Sequence, residues 1–131
     1  MSGKKILVID DEKPIRDMLD RAFSRAGYVV QTADSAESAL DAMETNPCWV
    51  LFVDLNLPGM SGVEFCKRIR NEYPMAILVA FTGQATLFEL TDCRNAGFED
   101  YFTKPAELSE LLAAAEHAFG KLERWTKRQR A

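Results

Sequence analysis

The stretch Lys4-Lys5-Ile6-Leu7-Val8-Ile9-Asp10-Asp11 sets four apolar residues directly before two adjacent carboxylates. A short apolar run of this kind reads as a strand buried on both faces. Two acids at its carboxyl end are costly to bury, and as neighbours they repel, so the pair calls for a cation, a proton or solvent. Val50-Leu51-Phe52-Val53 repeats the pattern and ends in Asp54. If the two runs lie parallel in one sheet, three carboxylates meet at the same edge and form a cation site.

Outward from these runs, strand and helix patterns alternate. Lys4–Ile9 is the first strand, and Pro14 suits the first turn of a helix that presents Ile15, Met18, Leu19, Ala22 and Phe23 before Gly27. Tyr28–Thr32 is a short strand. Asp34 or Ser35 caps a second helix bearing Ala36, Ala39, Leu40 and Met43, which Asn46-Pro47 ends. Trp49–Val53 is the third strand. Ser61-Gly62-Val63-Glu64 has the capping-box form and opens a helix that buries Phe65, Cys66 and Ile69. Ala76–Phe81 is the fourth strand, followed by a helix from about Ala85 to Ala96 that Gly97 ends. Glu99–Phe102 is the last strand, and a long final helix runs from Ala106. The pattern predicts an α/β domain, a parallel sheet with helices on both faces, whose ligands bind beyond the carboxyl ends of the strands.

The 131 residues suit one domain, and 47% apolar with 27% charged residues is enough apolar material for a core and too little charge for a disordered chain. No run approaches the ~20 apolar residues of a membrane span. The N-terminal apolar stretch is too short for a signal peptide, so the cytoplasm is the expected location. Cys48, Cys66 and Cys93 fit neither a disulfide framework nor a zinc site, and read as buried free thiols in a reducing compartment. Residues 121–131 hold five basic residues and one acid, so they carry +4 of a net −4 and leave −8 on residues 1–120. An acidic globule does not draw nucleic acid, which disfavours direct DNA binding. Residues 1–122 are expected to form the domain, and 123–131 a basic helix extension or the start of a linker, with Trp125 packed back on the domain or facing another one. His117 reads as a solvent-facing residue of the final helix.

The residues at the strand ends are Asp10, Asp11, Asp54, Thr82 and Lys104. Carboxylates with a carbonyl make a partial cage for a hard cation such as Mg²⁺. An ammonium and a hydroxyl beside them suit a phosphoryl group, whose transfer depends on positioning and charge neutralisation. Neither G-x-x-x-x-G-K-[ST] nor G-x-G-x-x-G occurs, so nucleotide binding by those loops is disfavoured. A carboxylate next to a cation can then be the nucleophile and form an acyl phosphate.

Four segments in order, Ile9-Asp10-Asp11-Glu12, Asp54 to Gly62, Thr82-Gly83 and Asp100 to Pro105, resemble the receiver domain of bacterial two-component response regulators. The resemblance covers residues 4–122. It implies a flavodoxin-like (βα)5 three-layer sandwich with strand order 2-1-3-4-5, acting as a signalling switch rather than an enzyme. It implies Asp54 as phosphoacceptor, taking a phosphoryl group from a phosphohistidine of a sensor histidine kinase or phosphotransfer protein. It further implies Mg²⁺, with Mn²⁺ as a substitute, held by Asp11, Asp54, the Asn56 backbone carbonyl and, through water, Asp10. Thr82, Lys104 and Tyr101 become the phosphoryl-binding and switch residues, and Asn56 and Gln84 the positions that tune dephosphorylation. The downstream target, or a fused output domain, is left open.

Two other classes compete. A phosphohydrolase with an aspartyl nucleophile would need a further general acid and a covering cap, and no insertion for a cap is present. A constitutive interaction module would not need the acidic residues, Thr82 and Lys104 together. Residues 108–119 contain no Lys or Arg, so dimerisation through paired charges on that helix is disfavoured. The unphosphorylated protein is therefore expected to be monomeric, and a stable dimer by light scattering at micromolar concentration would refute this.

Overall fold

The computed structural model describes residues 3–83 and 86–130. Strands and helices alternate as β1 (Lys5–Ile9), α1 (Lys13–Arg25), β2 (Val29–Ala33), α2 (Ala36–Thr45), β3 (Val50–Asp54), α3 (Gly62–Glu72), β4 (Ile77–Thr82), α4 (Leu87–Ala96), β5 (Asp100–Thr103) and α5 (Leu108–Arg130). All strand pairs are parallel, in the order β2-β1-β3-β4-β5. This is the flavodoxin-like α/β arrangement the sequence implied.

Side-chain alternation explains why the central strands are apolar throughout. Ile6 and Val8 of β1, with Val50 and Phe52 of β3, pack against Leu19 and Phe23 of α1 and Leu111 and Ala115 of α5. Leu7, Ile9, Leu51 and Val53 face the other way, onto Ala39 and Met43 of α2, Phe65 and Ile69 of α3, and Cys93 and Ala96 of α4. The sheet is thus buried on both faces. Polar side chains have their place at the strand ends.

Helix starts follow local capping chemistry. Ser35 Oγ accepts from Ser38 N, Ser61 Oγ from Glu64 N and Thr86 Oγ1 from Glu89 N, at 3.1, 3.1 and 3.2 Å. The Thr86 cap sets the start of α4 at Leu87; Ala85, where the sequence pattern placed its start, lies outside the described residues. The last helix begins at Leu108 instead of Ala106, because the Glu107 carbonyl accepts the first helical amides, from Glu110 and Leu111. It continues unbroken to Arg130. Strands β2 to β5 each end one residue later than the apolar pattern, since the main-chain ladder extends through Asp54, Thr82 and Thr103 whatever their side chains. Among the described residues no helix is long and apolar enough to cross a membrane.

The three cysteines are buried free thiols. Cys66 Sγ donates to the Ala96 carbonyl and Cys48 Sγ to the Val50 carbonyl. Burial pushes Cys66 up to about 12 and Cys48 to about 11, and raises Cys93. Because the thiolate is the reactive form, none of the three should react with Ellman's reagent at pH 8 in the folded protein, and all three should react in denaturant. A thiol raised in the native state contributes stability that is intact below its ordinary value of 9.0 and is lost as pH rises through the native value. Urea midpoints should therefore fall above about pH 9, where the unfolded thiols ionise; fast modification of the native protein would contradict the assignment.

Candidate functional site at the carboxyl ends of the strands

The sheet register brings the strand-end residues together. Ile9 pairs with Val53, so Asp10 and Asp54 leave adjacent strands at the same level. Asp54 pairs with Phe81 and Thr82 with Thr103, which sets Thr82 and Lys104 one residue further along on β4 and after β5. A hydrogen bond from Lys104 N to Thr82 O, 2.7 Å, carries the β5 pairing past its last strand residue. This edge is the crevice where strand order reverses, between β1 and β3, and a ligand site belongs there in such sheets.

One ammonium faces three carboxylates. Lys104 Nζ lies 2.9 Å from Asp10 Oδ2, 3.2 Å from Asp54 Oδ2 and 3.3 Å from Glu12 Oε1. The ring of Phe81 lies below the ammonium, 5.2 Å from centroid to Nζ. Asp10 and Asp54 are 0% and 3% exposed, while Asp11 and Glu12 are exposed. Asp10 Oδ1 accepts from Glu12 N at 2.7 Å, and Arg16 Nη1 donates to the Asp10 carbonyl at 2.8 Å. Asp10 Oδ2 makes no hydrogen bond of normal geometry, so the ion pair with Lys104 is its compensation.

Burial is the main force on Asp10. It pushes the carboxyl above the ordinary carboxylate value, helped by the charge of Asp54 and opposed by the Glu12 amide and Lys104. Burial works against the charge of Lys104 too, but the carboxylates of Asp10 and Asp54 outweigh it and raise the lysine.

Carboxylate oxygens of Asp10, Asp11 and Glu12 lie within 4.8 Å of one another, the one such group among the described residues. Such an acidic cluster is typical of a receiver Mg²⁺ site. The donor set fits a hard cation on two further counts. All its ligands are oxygens, and the buried Asp10 Oδ2 has no partner but the ammonium of Lys104, which it shares with Asp54 and Glu12. Asp54 lies outside that group and turns Oδ2 to Lys104.

Glu12 entered the sequence reading only as part of a motif, yet here it reaches Lys104 across 92 positions of chain. Arg16 and Glu37 carried no signal at all. Glu37 of α2 accepts from Met60 N at 3.0 Å and so holds the loop after Asp54. That loop returns to α3 at Gly62, where a Cβ would meet Asp54 O at 2.6 Å, so only glycine lets the helix start so close to β3. Asn56 is exposed; its N donates to Asp54 Oδ1 at 3.0 Å and its Nδ2 to Thr82 Oγ1 at 2.9 Å. Tyr101 stands 36% exposed on the edge strand β5 and lines a groove of about 790 Å³ with Leu90 and Arg94 of α4. Gln84 lies outside the described residues.

Removing Lys104 leaves buried carboxylates facing one another, which in comparable cases costs about 3–5 kcal/mol. Lys104→Met should therefore lower urea stability by about 3 kcal/mol at pH 7. Asp10, raised in the native state, binds its proton before the unfolded chain does, so its contribution is present below 3.8 and lost as pH rises through the native value. Without the ammonium that native value climbs further, and the deficit of the variant should shrink at pH 5. An equal deficit at both pH values would contradict this account.

Comparison with known proteins agrees with the geometry. The response regulator receiver domain family matches residues 6–116. The chain is similar to a CheY-like receiver domain protein of Methanospirillum hungatei JF-1, with 28% identity over 94% of this chain and 98% of that one, and a TM-score of 0.90. It is also similar to the chemotaxis protein CheY4 of Vibrio cholerae, with 28% identity, coverages of 90% and 98% and a TM-score of 0.83. A third likeness is NtrX of Brucella abortus, with 27% identity over 98% of this chain but 30% of that longer one, and a TM-score of 0.90. Receiver domains partner with histidine kinases, some are fused to output domains, and they typically serve as non-enzymatic signalling switches. With its five-stranded parallel fold and its pocket of Asp10, Asp11, Asp54 and Lys104, this chain belongs to the response regulator receiver domain family.

Proposed function

We propose that the protein is a phosphorylation-activated receiver whose acceptor is Asp54. The observation that carries this reading is the Asp54 carboxylate itself. It is nearly buried at the end of β3, with Oδ1 held by Asn56 N and Oδ2 3.2 Å from Lys104 Nζ. The buried backbone pairing of β3 fixes its position, and positioning with charge neutralisation supplies most of the catalysis in phosphoryl transfer.

The donor is a phosphohistidine of a sensor histidine kinase or phosphotransfer protein. A carboxylate oxygen of Asp54 attacks phosphorus, the new O–P bond forms as the N–P bond breaks, and the imidazole leaves with the electron pair. Asp11, Asp54, the Asn56 backbone carbonyl and, through water, Asp10 would hold Mg²⁺, with Mn²⁺ as a substitute. When bound, the metal supplies positive charge against the carboxylates and the phosphoryl oxygens. Lys104 moves from sharing three carboxylates to pairing with a phosphoryl oxygen, and the Thr82 hydroxyl donates to another. Tyr101, exposed on β5, follows Thr82 inward, and the changed surface around α4 and β5 controls a downstream partner or fused output domain. The acyl phosphate then hydrolyses at a rate tuned by the uncharged side chains of Asn56 and Gln84. The protein assists its own phosphorylation and dephosphorylation but turns over no separate substrate. This chemistry takes place in the cytoplasm.

Incubation with acetyl phosphate or phosphoramidate and Mg²⁺ should add one phosphoryl group, read by intact mass. Chelation of the metal or Asp54→Asn should reduce labelling to background. Full labelling of that variant would overturn the acceptor assignment.

A further inference from the structure

Asn56 joins the two residues whose states must change together. Its backbone N–H donates to Asp54 Oδ1 at 3.0 Å, and its side-chain Nδ2 donates to Thr82 Oγ1 at 2.9 Å. Thr82 is fully buried, whereas Asn56 is an exposed loop residue whose amide reaches inward to it. We infer that the Asn56 side chain is a positioning residue that holds the Thr82 hydroxyl in the resting arrangement, under the control of the charge on Asp54. This rests on the receiver reading above.

A carboxylate accepts hydrogen bonds more strongly than a neutral carbonyl or ester oxygen, because the charged acceptor roughly doubles the bond. As long as Asp54 is an anion, its Oδ1 therefore grips the Asn56 amide and fixes the loop from which Nδ2 reaches Thr82. Conversion of that carboxylate to an acyl phosphate removes its charge and weakens the grip at the same moment that phosphoryl oxygens offer the Thr82 O–H a charged acceptor, which draws the hydroxyl away from the Asn56 amide that donates to it. Both changes favour release of Thr82. The loop has a second anchor in Glu37, whose carboxylate accepts from Met60 N, so the release is confined to the segment nearest Asp54.

The hold is a differential contact, present in the resting state and absent from the activated one, and only such contacts shift the balance between two states. Loss of one net hydrogen bond corresponds to about a threefold to tenfold change in an equilibrium. Asn56→Ala should thus strengthen binding of beryllofluoride, a phosphoryl mimic, in the presence of saturating Mg²⁺ by about that factor. Magnesium affinity is measured separately for each variant so that any effect on the metal is removed.

Two readouts distinguish this role from a merely structural one. In the unphosphorylated Asn56→Ala protein, the backbone NMR resonances of Thr82 and Tyr101 should move along the line that joins the resting and beryllofluoride-bound positions of the natural protein. In a Thr82→Ala background, Asn56→Ala should give no gain in beryllofluoride affinity, whereas in Thr82→Ser, which keeps the hydroxyl, the gain should persist. No gain in the single variant, or the same gain without the hydroxyl, would overturn the inference. Failure of the natural protein to bind beryllofluoride at all would instead overturn the receiver reading on which it rests.

Discussion

A single ammonium neutralises the carboxyl edge of the sheet, and most of what is unusual about this molecule follows from its having too much to neutralise. Lys104 serves Asp10, Asp54 and Glu12 together, all within 3.3 Å. At an effective dielectric of about 20, unit charges about 3 Å apart attract by roughly 5 kcal/mol before desolvation is counted. Repulsion between Asp10 and Asp54 and the cost of removing three charges from water consume that attraction. The cluster is therefore a poor stability device. Apolar residues of similar volume in place of all its members together would pack as well, whereas removal of one member leaves the others unpaired, so the cluster is better explained by its chemistry than by its energy. Its residual negative charge is where a divalent cation and a phosphoryl group can be accommodated in turn.

The rest of the fold holds that edge in register. β1 and β3 are shielded by α1 and α5 on one face and by α2, α3 and α4 on the other, so neither strand can slip without exposing an apolar side chain. Asp10 and Asp54 are consequently fixed relative to each other by backbone pairing rather than by their own contacts. The backbone of Lys104 lies at the sheet's edge. It follows β5, a short edge strand whose residues are mostly exposed, and is tied by one backbone bond to Thr82. The central strands of the sheet thus carry the acids, and its exposed edge carries the cation and the aromatic Tyr101. That division suits a device in which the acceptor must stay in place while its surroundings rearrange.

How much of this is visible in the amino-acid sequence depends on whether a feature is written in a period or in a rotamer. The apolar runs at Ile6–Ile9 and Val50–Val53 have a pattern that only a doubly covered strand satisfies, and the residues after them fall at the sheet edge by topology alone. Asp10, Asp11, Asp54, Thr82 and Lys104 could therefore be placed before any coordinates. The partition of roles among the acids could not. That Asp10 is buried while Asp11 faces solvent follows from strand phase, but that Lys104 sits nearer Asp10 than Asp54 depends on side-chain torsions. The Glu37 clamp on Met60 and the Glu12 contact with Lys104 connect elements 23 and 92 residues apart. No spacing rule links such pairs. Helix α4 was the least legible element because its apolar residues do not gather on one face, so its start was set by the Thr86 cap.

Asp54 in its resting form is a partner to both neighbours through its charge, Lys104 at one oxygen and the Asn56 amide at the other. A modification that merely added bulk at this position would strain the pocket without favouring one rearrangement over another. Conversion of the carboxylate to an acyl phosphate, as proposed, does something more selective: it removes the charge that both contacts depend on and places new charged oxygens two bonds further out. On the proposed reading Lys104 and Thr82 then have a reason to move in the same direction, the lysine because its anionic partner has shifted and the threonine because its hydroxyl, which accepts from the Asn56 amide at rest, can donate to an anionic oxygen. On the proposed reading the change of state is carried by electrostatics at one side chain, and the small exposed amide of Asn56, which reaches Thr82, sets how firmly the resting state is held.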